Sequence, residues 1–458
     1  MPAVADISER ASTIADRELV NLTIYNGGEA LIHDRRRVDL NAGLNRIAWR
    51  DVSANMDPTS ALLASLGSAD RINVLEQNFN FDLLDPSALL EKNIGHEVTV
   101  VHEARFAGER DTRERARILS TNGGVVLQYK DRIETSVRGY IIYPASPKNF
   151  RDRPTLDLDM QSELSGPQTL DLTYLTSGLS WRADYVGTLL PDESHLSLTG
   201  LVTLSNTSGE SYDNARLQLV AGNVNIAQPA ASTLRTIANV TAETYSANAA
   251  QEENYFEYHL YTIERPTTIL DRQTKQLTLL TASGIPIRKT LELRGSSQYY
   301  ESAQPDLGDR LPVGVYVTFE NRDGNLGIPL PAGIVRLYKN DSRGLSQFLG
   351  SDHIQHTPKN EPVRMHLGDS FDVTARKRQT DFQQLDGCSS RSSYEITLSN
   401  AKPSPQDVLI VESIPGSWRI TDESSPHTKS SASTANWTAH LPQDGHSILT
   451  YTARVRWC

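Results

Sequence analysis

The sequence predicts an all-β protein made of several β-sandwich modules, immunoglobulin-like or fibronectin-like, with a small β-barrel inserted among them and only minor short helices. Three observations predict this. Apolar and polar residues alternate with period two along most of the chain, as in Leu19–Tyr25 (L-V-N-L-T-I-Y). Glycine- and asparagine-rich turns separate the alternating runs. Helical periodicity is scarce, and its best instance is one or two turns long.

Taken in order, Leu19–Tyr25, Ala30–Leu40 and Leu44–Trp49 are the first strands of a module spanning residues 18–84. Pro86–Lys92 is the helix: Asp85 suits its N-cap, Pro86 its first position, and Gly95 its stop. Residues 95–144 carry short, closely spaced strands near Glu97–Glu103, Arg115–Ser120, Val125–Tyr129 and Tyr140–Tyr143. Asn122-Gly123-Gly124 is a tight hairpin turn among them. A small closed barrel of SH3 or Sm type fits that spacing. The charge run Glu109–Arg117 inside it reads as a solvated loop or hairpin tip.

Residues 156–373 read as a large central sandwich. The segment Pro229–Gln251, rich in Ala, Thr, Ser and Asn, interrupts it as an excursion or linker (229–251). Ser296–Asp309 is a second polar connection, and residues 393–458 form the last sandwich. A short pattern, Thr-apolar-x-Asn, recurs at Thr23–Asn26, Thr203–Asn206, Thr318–Asn321 and Thr397–Asn400. Each copy ends a β-rich run and precedes a turn. Asn suits such a corner because its side chain bonds the backbone two residues on and tolerates positive φ.

At 458 residues the chain has room for about three domains and a sizeable core. Lys+Arg total 45 and Asp+Glu 56, a net charge of −11. That balance argues against general nucleic-acid binding, which needs surplus cations to release counterions. No apolar run reaches the roughly 18 residues of a membrane helix. Met1–Asp16 has no basic segment leading into an apolar core, so it does not read as a secretory signal. The cysteines speak to the compartment instead. Cys388 and Cys458 flank the last strand-rich segment, and a bond between them would staple its open end. Such a closure contributes on the order of 4 kcal/mol in the loop-entropy account. Two free thiols are the alternative. The even count and the placement point toward an oxidising compartment.

Several stretches carry a resemblance: Leu172–Tyr185 (L-T-Y-L-T-S-G-L-S-W-R-A-D-Y), Leu201–Leu219 (L-V-T-L-S-N-T-S-G-E-S-Y-D-N-A-R-L-Q-L), Asn325–Tyr338 (N-L-G-I-P-L-P-A-G-I-V-R-L-Y) and Phe348–Pro358 (F-L-G-S-D-H-I-Q-H-T-P). Together they resemble the domain-of-unknown-function 4139 family, which includes mucoidy-inhibitor-A-like proteins. Leu22–Ser60 is similar to the leading part of bacterial members. The resemblance implies a bacterial periplasmic or extracellular protein and, through the family label, a link to suppression of mucoid growth. It implies no biochemical activity. Typical members carry a signal peptide that this sequence lacks, which keeps a cytoplasmic location open.

Four groups of residues qualify as candidate sites. His353-x-x-His356, with Asp352 before it and His366 and Asp369 after it, is the most metal-like cluster. Its spacing is not the i, i+4 pair of a metalloprotease helix, and on a strand i and i+3 face opposite sides. Surface or hydrogen-bonded histidines are the plainer reading. The turns Asp341-Ser342-Arg343-Gly344 and Asn321-Arg322-Asp323-Gly324 offer oxygens to calcium but lack the fixed loop pattern. Trp181, Tyr185, Trp418, Trp437 and Trp457 qualify as sugar-stacking platforms, with core packing as the alternative. Of these, Trp181 with Arg182 and Tyr185 follows a Ser-Gly turn and is the first choice for a ligand site. No nucleophile elbow, phosphate loop or dinucleotide fingerprint occurs, so no catalytic residue is named and no cofactor is expected.

The reading is a non-catalytic interaction or scaffold protein of the cell envelope whose partner is an envelope protein or glycan. The alternative is a metal-assisted hydrolase, or a carbohydrate-binding protein acting on an envelope polysaccharide. A third possibility is an assembly module that uses exposed sheet edges for strand addition.

Overall fold

The computed structural model describes residues 8–67, 71–80, 85–103, 110–137, 139–144, 151–222, 224, 251–255, 257–304, 306–322 and 326–458. The expected excursion 229–251 lies outside the described residues except for Gln251. Strands dominate, and the protein is all-β. Among the described residues, the one α-helix is Pro86–Lys92. The Asp85 carboxylate caps it, accepting from the backbone N–H groups of Ser87 at 2.7 Å and Ala88 at 2.9 Å. No helix among the described residues is long and apolar enough to cross a membrane.

The chain forms two compact units. The first holds residues 1–181, 204–251 and 260–275, and the second residues 182–203, 252–259 and 276–458. In the first, Glu29–Leu40 pairs on one side with Arg17–Tyr25 and on the other with Gly166–Ser177. Gly43–Arg50 and Ile72–Asn80 flank Thr155–Ser162 in a second sheet. The N-terminal strands therefore share sheets with strands more than a hundred residues on, across the sequence-drawn boundaries at 84 and 156. Local alternation identifies strands but carries no information about such distant pairing. The alternation itself decides what is buried: Val20, Leu22 and Ile24 face in, as do Ala30 and Ile32.

The closed barrel expected at 95–144 is corrected to an open five-stranded sheet. Its order is Ile133–Glu134, Val126–Gln128, Thr112–Ser120, Glu97–His102 and Tyr140–Ile142. The two end strands are two and three residues long, too short to complete the staggered ladder that closure requires. Asn122–Gly124 makes the expected hairpin turn, with Gly123 and Gly124 at positive φ. The charged run is strand from Thr112 onward, its arginines facing out while Ala116 and Ile118 face a small core with Val98, Val100 and Leu127.

The second unit is built on a long sheet in which Gln273–Arg294, Leu311–Glu320, Pro362–Asp386, Ser389–Asn400, Gly445–Arg456 and Ser417–Glu423 follow one another. Leu291–Arg294 also pairs in parallel with Val408–Val411, and Gln406–Ser413 pairs with Thr434–Leu441. This second layer closes a core that includes Leu293, Tyr394, Ile396, Ile410, Trp437 and Tyr451.

The Asn corners have a shared mechanism. Asn206 and Asn400 are both buried, and each ends a 12-residue strand. In each, Oδ1 accepts from the backbone N–H two residues on, at 3.0 Å. Nδ2 donates to the carbonyl four residues on, Glu210 or Ser404, and to one neighbouring carbonyl, Leu270 or Pro442. Asn321 follows its strand and works similarly, accepting from Gly327 and donating to Ile328 and Pro358. The Asn26 copy instead leads into a tight turn through Gly28 at φ 93°.

Candidate functional site

The densest group of ionisable and aromatic side chains lies inside the last sandwich. Along Pro362–Asp386 the inward phase runs Val373, Ala375, Lys377, Gln379, and along Gln406–Ser413 it runs Val408, Ile410, Glu412. Strand parity thus carries a cation and an anion into an apolar core, where they must meet or be expelled. Lys377 Nζ donates to both carboxylate oxygens of Glu412 at 2.7 Å. The two side chains are 1 % and 0 % exposed. Four tyrosine rings surround the ammonium: Tyr299 at 4.6 Å, Tyr394 at 4.8 Å, Tyr451 at 5.8 Å and Tyr300 at 5.9 Å. Tyr300 Oη donates to Glu412 Oε2 at 2.9 Å and lies 2.8 Å from Tyr451 Oη. Trp437 stacks on the far side of this box, 4.8 Å from Tyr451. Gly295 leaves room for the carboxylate, because a Cβ there would collide with Glu412 Oε2.

Electrostatics match the enclosure. Burial pulls Lys377 below the ordinary lysine range against the opposing pull of Glu412. Burial, reinforced by the Glu412 charge, pushes Tyr300 and Tyr451 well above the usual phenol range. The box contains a nucleophile, a carboxylate and proton-carrying phenols, but each is engaged by another member of the box.

The first unit holds a second buried charge group. Asp34 and Arg36 are both fully buried and bonded at 2.6 Å, and Arg17 adds a bond to Asp34 at 2.9 Å. Trp49 Nε1 donates to the same carboxylate, and the Arg36 guanidinium lies 4.6 Å from the Trp49 ring centre. Burial raises Asp34, but Arg36 and Arg17 outweigh it and hold the carboxyl below its ordinary range. Glu210 is the contrasting case. Burial and the nearby Asp51 charge, opposed by Arg17 and Arg153, push it up to about 7.

Residues 170–458 match the family described as Domain of unknown function (DUF4139). The chain belongs to that family. No curated protein matches it.

The tyrosine-lined ion pair lies wholly within the DUF4139 part, as does every site residue nominated from sequence. The nominated metal residues lie at or near the surface. His353, His356, His366 and Asp369 are exposed. Asp352 spends its two oxygens on backbone N–H groups, those of His353 at 2.8 Å and His366 at 2.7 Å. His356 Nδ1 accepts from Ala332 N–H, and partial desolvation of the ring, with the nearby His259 adding to it, holds that imidazole below the ordinary histidine range. His366 Nε2 faces Asp369 at 3.6 Å. Among the described residues no group of three or more His, Cys, Asp or Glu is placed to hold a metal ion. The i, i+3 spacing at a strand end spreads the side chains.

At the nominated stacking platform, strand phase decides which side chains reach the surface. On Leu179–Leu189 the inward phase is Trp181, Ala183, Tyr185, and the two aromatics are 4 % and 0 % exposed. Tyr185 Oη donates to the Pro331 carbonyl at 2.8 Å. Arg182 points outward and pairs with Asp184, which also receives Arg336 and Thr203. Trp437 is likewise core, while Trp418 is half-buried under Lys429 Nζ at 4.5 Å. Of the two oxygen-rich turns, Asp341 caps its own turn through Arg343 and Leu345 N–H, and Asp323-Gly324 lie outside the described residues. Cys388 and Cys458 are joined as a disulfide with Cα atoms 5.4 Å apart.

Sequence reasoning missed the Lys377–Glu412 pair. The signal was present as parity: a Lys and a Glu each standing at the apolar phase of an otherwise alternating strand.

Proposed function

We propose that this DUF4139 protein is a non-catalytic interaction or scaffold protein of the bacterial cell envelope, working in the periplasm or outside the cell. The observation that carries the reading is the closed state of its most chemically capable cluster. Lys377, Glu412 and the tyrosines satisfy one another, buried between two strand layers that they hold together. Asp34 with its arginines in the first unit follows the same pattern. The Cys388–Cys458 disulfide supports an oxidising compartment, since such bonds persist outside the cytosol. Exposed Leu345, Phe348 and Phe371, the last 84 % exposed, supply apolar surface of the kind that partners cover.

The test is affinity capture of the tagged full chain from cross-linked envelope fractions, paired with cell fractionation. A specific envelope partner and an oxidised protein in the periplasmic or extracellular fraction are expected. A reduced protein confined to the cytoplasm, or capture of nothing above a control, overturns the reading.

A further inference from the structure

Trp457 is the aromatic platform that the core does not absorb. It is 39 % exposed, and together with Pro415 and Glu301 it lines a cavity of about 350 Å³. Three independent devices fix these walls. The Trp457 backbone N–H donates to the Cys388 carbonyl at 3.0 Å, and the next residue is tied to Cys388 by the disulfide. Pro415 is held because Gly416, at φ 64°, brings the chain so close to the Arg456 carbonyl that a Cβ would collide with it. Glu301 caps the short 3-10 turn Ser297–Tyr300, whose Tyr300 is anchored in the buried box. The hollow is therefore set before any ligand arrives, which lowers the ordering cost of binding.

Its chemistry is selective. An indole and a pyrrolidine ring present apolar surface, and among the described residues one exposed carboxylate is the single charged group on the lining. Apolar C–H faces of a sugar ring pack on indole, while a carboxylate accepts hydrogen bonds from ring hydroxyls. Among the described residues no cation lines the hollow to meet a uronate or phosphate, and the chain's net charge of −11 opposes their approach.

We propose that the hollow between Glu301, Pro415 and Trp457 binds a neutral sugar ring of a glycan. The proposal rests on the interaction reading for its setting and names one ligand class at one site. The full-length oxidised protein is titrated calorimetrically with cello-, malto- and chito-oligosaccharides, with an oligogalacturonate, and with spermidine. Saturable binding of at least one neutral oligosaccharide is expected. Trp457→Ala weakens it about ten-fold, and Glu301→Gln, an exposed change that leaves the disulfide end untouched, about three-fold. The proposal is overturned if no neutral oligosaccharide binds, if both variants bind as the parent does, or if only the oligogalacturonate or spermidine binds. An envelope partner captured equally by parent and Trp457→Ala, without sugar binding, sinks the pocket and leaves the interaction reading standing.

Discussion

Replacing Lys377 with Met tests whether the buried box is structural. Met matches the lysine stem in length and packs well among aromatic rings. It leaves the Glu412 carboxylate at 0 % exposure, with the Tyr300 hydroxyl still donating to it. Breaking a buried pair in this one-sided way costs about 3–5 kcal/mol. In a unit of this size each kcal/mol moves Tm by roughly 2–4 °C, so the loss is on the order of 6–20 °C. The cost has a pH signature. An unpaired buried carboxylate has a folded pKa above its unfolded value, so the variant is least destabilised at low pH. It then loses stability as pH rises through the folded pKa. The double variant Lys377→Met/Glu412→Leu removes both charges and recovers most of the loss, because an apolar pair of similar volume is often neutral or better. The assay is urea unfolding of the parent, both single variants and the double variant from pH 5 to pH 8, read as a double-mutant cycle. A Lys377→Met cost below about 1 kcal/mol at pH 7, or one that does not change with pH, refutes the argument.

The other predictions are briefer. Cys388→Ser, or reduction of the parent, opens a loop with a sequence separation of 70 and lowers stability by about 4 kcal/mol, measured by denaturant unfolding with and without dithiothreitol. Glu210 binds its proton more tightly when folded, with its pKa pushed up to about 7 from the ordinary glutamate value of 4.5. Its contribution is complete below pH 4.5 and declines as pH rises through 7, so Glu210→Gln flattens the pH–Tm curve in that window and exceeds the parent at pH 8. An unaltered slope rules this out. Asn400→Ala strands the Lys402 N–H and the Ser404 and Pro442 carbonyls and costs about 2–4 kcal/mol, while the exposed neighbour Ser399→Ala costs little. Equal midpoints for the two variants contradict the corner mechanism.

The legible part of this fold was whatever depends on neighbours in sequence. Alternation located strands such as Arg17–Tyr25 and Glu29–Leu40, Asp85-Pro86 marked the helix start, and the Thr-apolar-x-Asn pattern marked two corners that share one hydrogen-bonding scheme and a third, at Asn321, that varies it. What depended on distant pairing was hidden. Nothing near Glu29 announces Gly166–Ser177 as its partner, and nothing near residue 95 says whether five short strands close.

Site reading was incomplete where residue type was weighed without strand phase. His353 and His356 have the right chemistry for a metal, but a strand end does not let them converge. Trp181 and Tyr185 have the right faces for a sugar, but both stand at the inward phase, four residues apart, and the core takes them. Lys377 and Glu412 invert the case: their types suggest surface, and their phase places them in the core. Phase is the stronger variable, because turning one side chain outward on a strand shifts its register and exposes every apolar partner with it. A sequence that keeps a Lys and a Glu at inward positions on two strands therefore commits itself to pairing them, and the four tyrosines around the pair are the enclosure that this commitment requires.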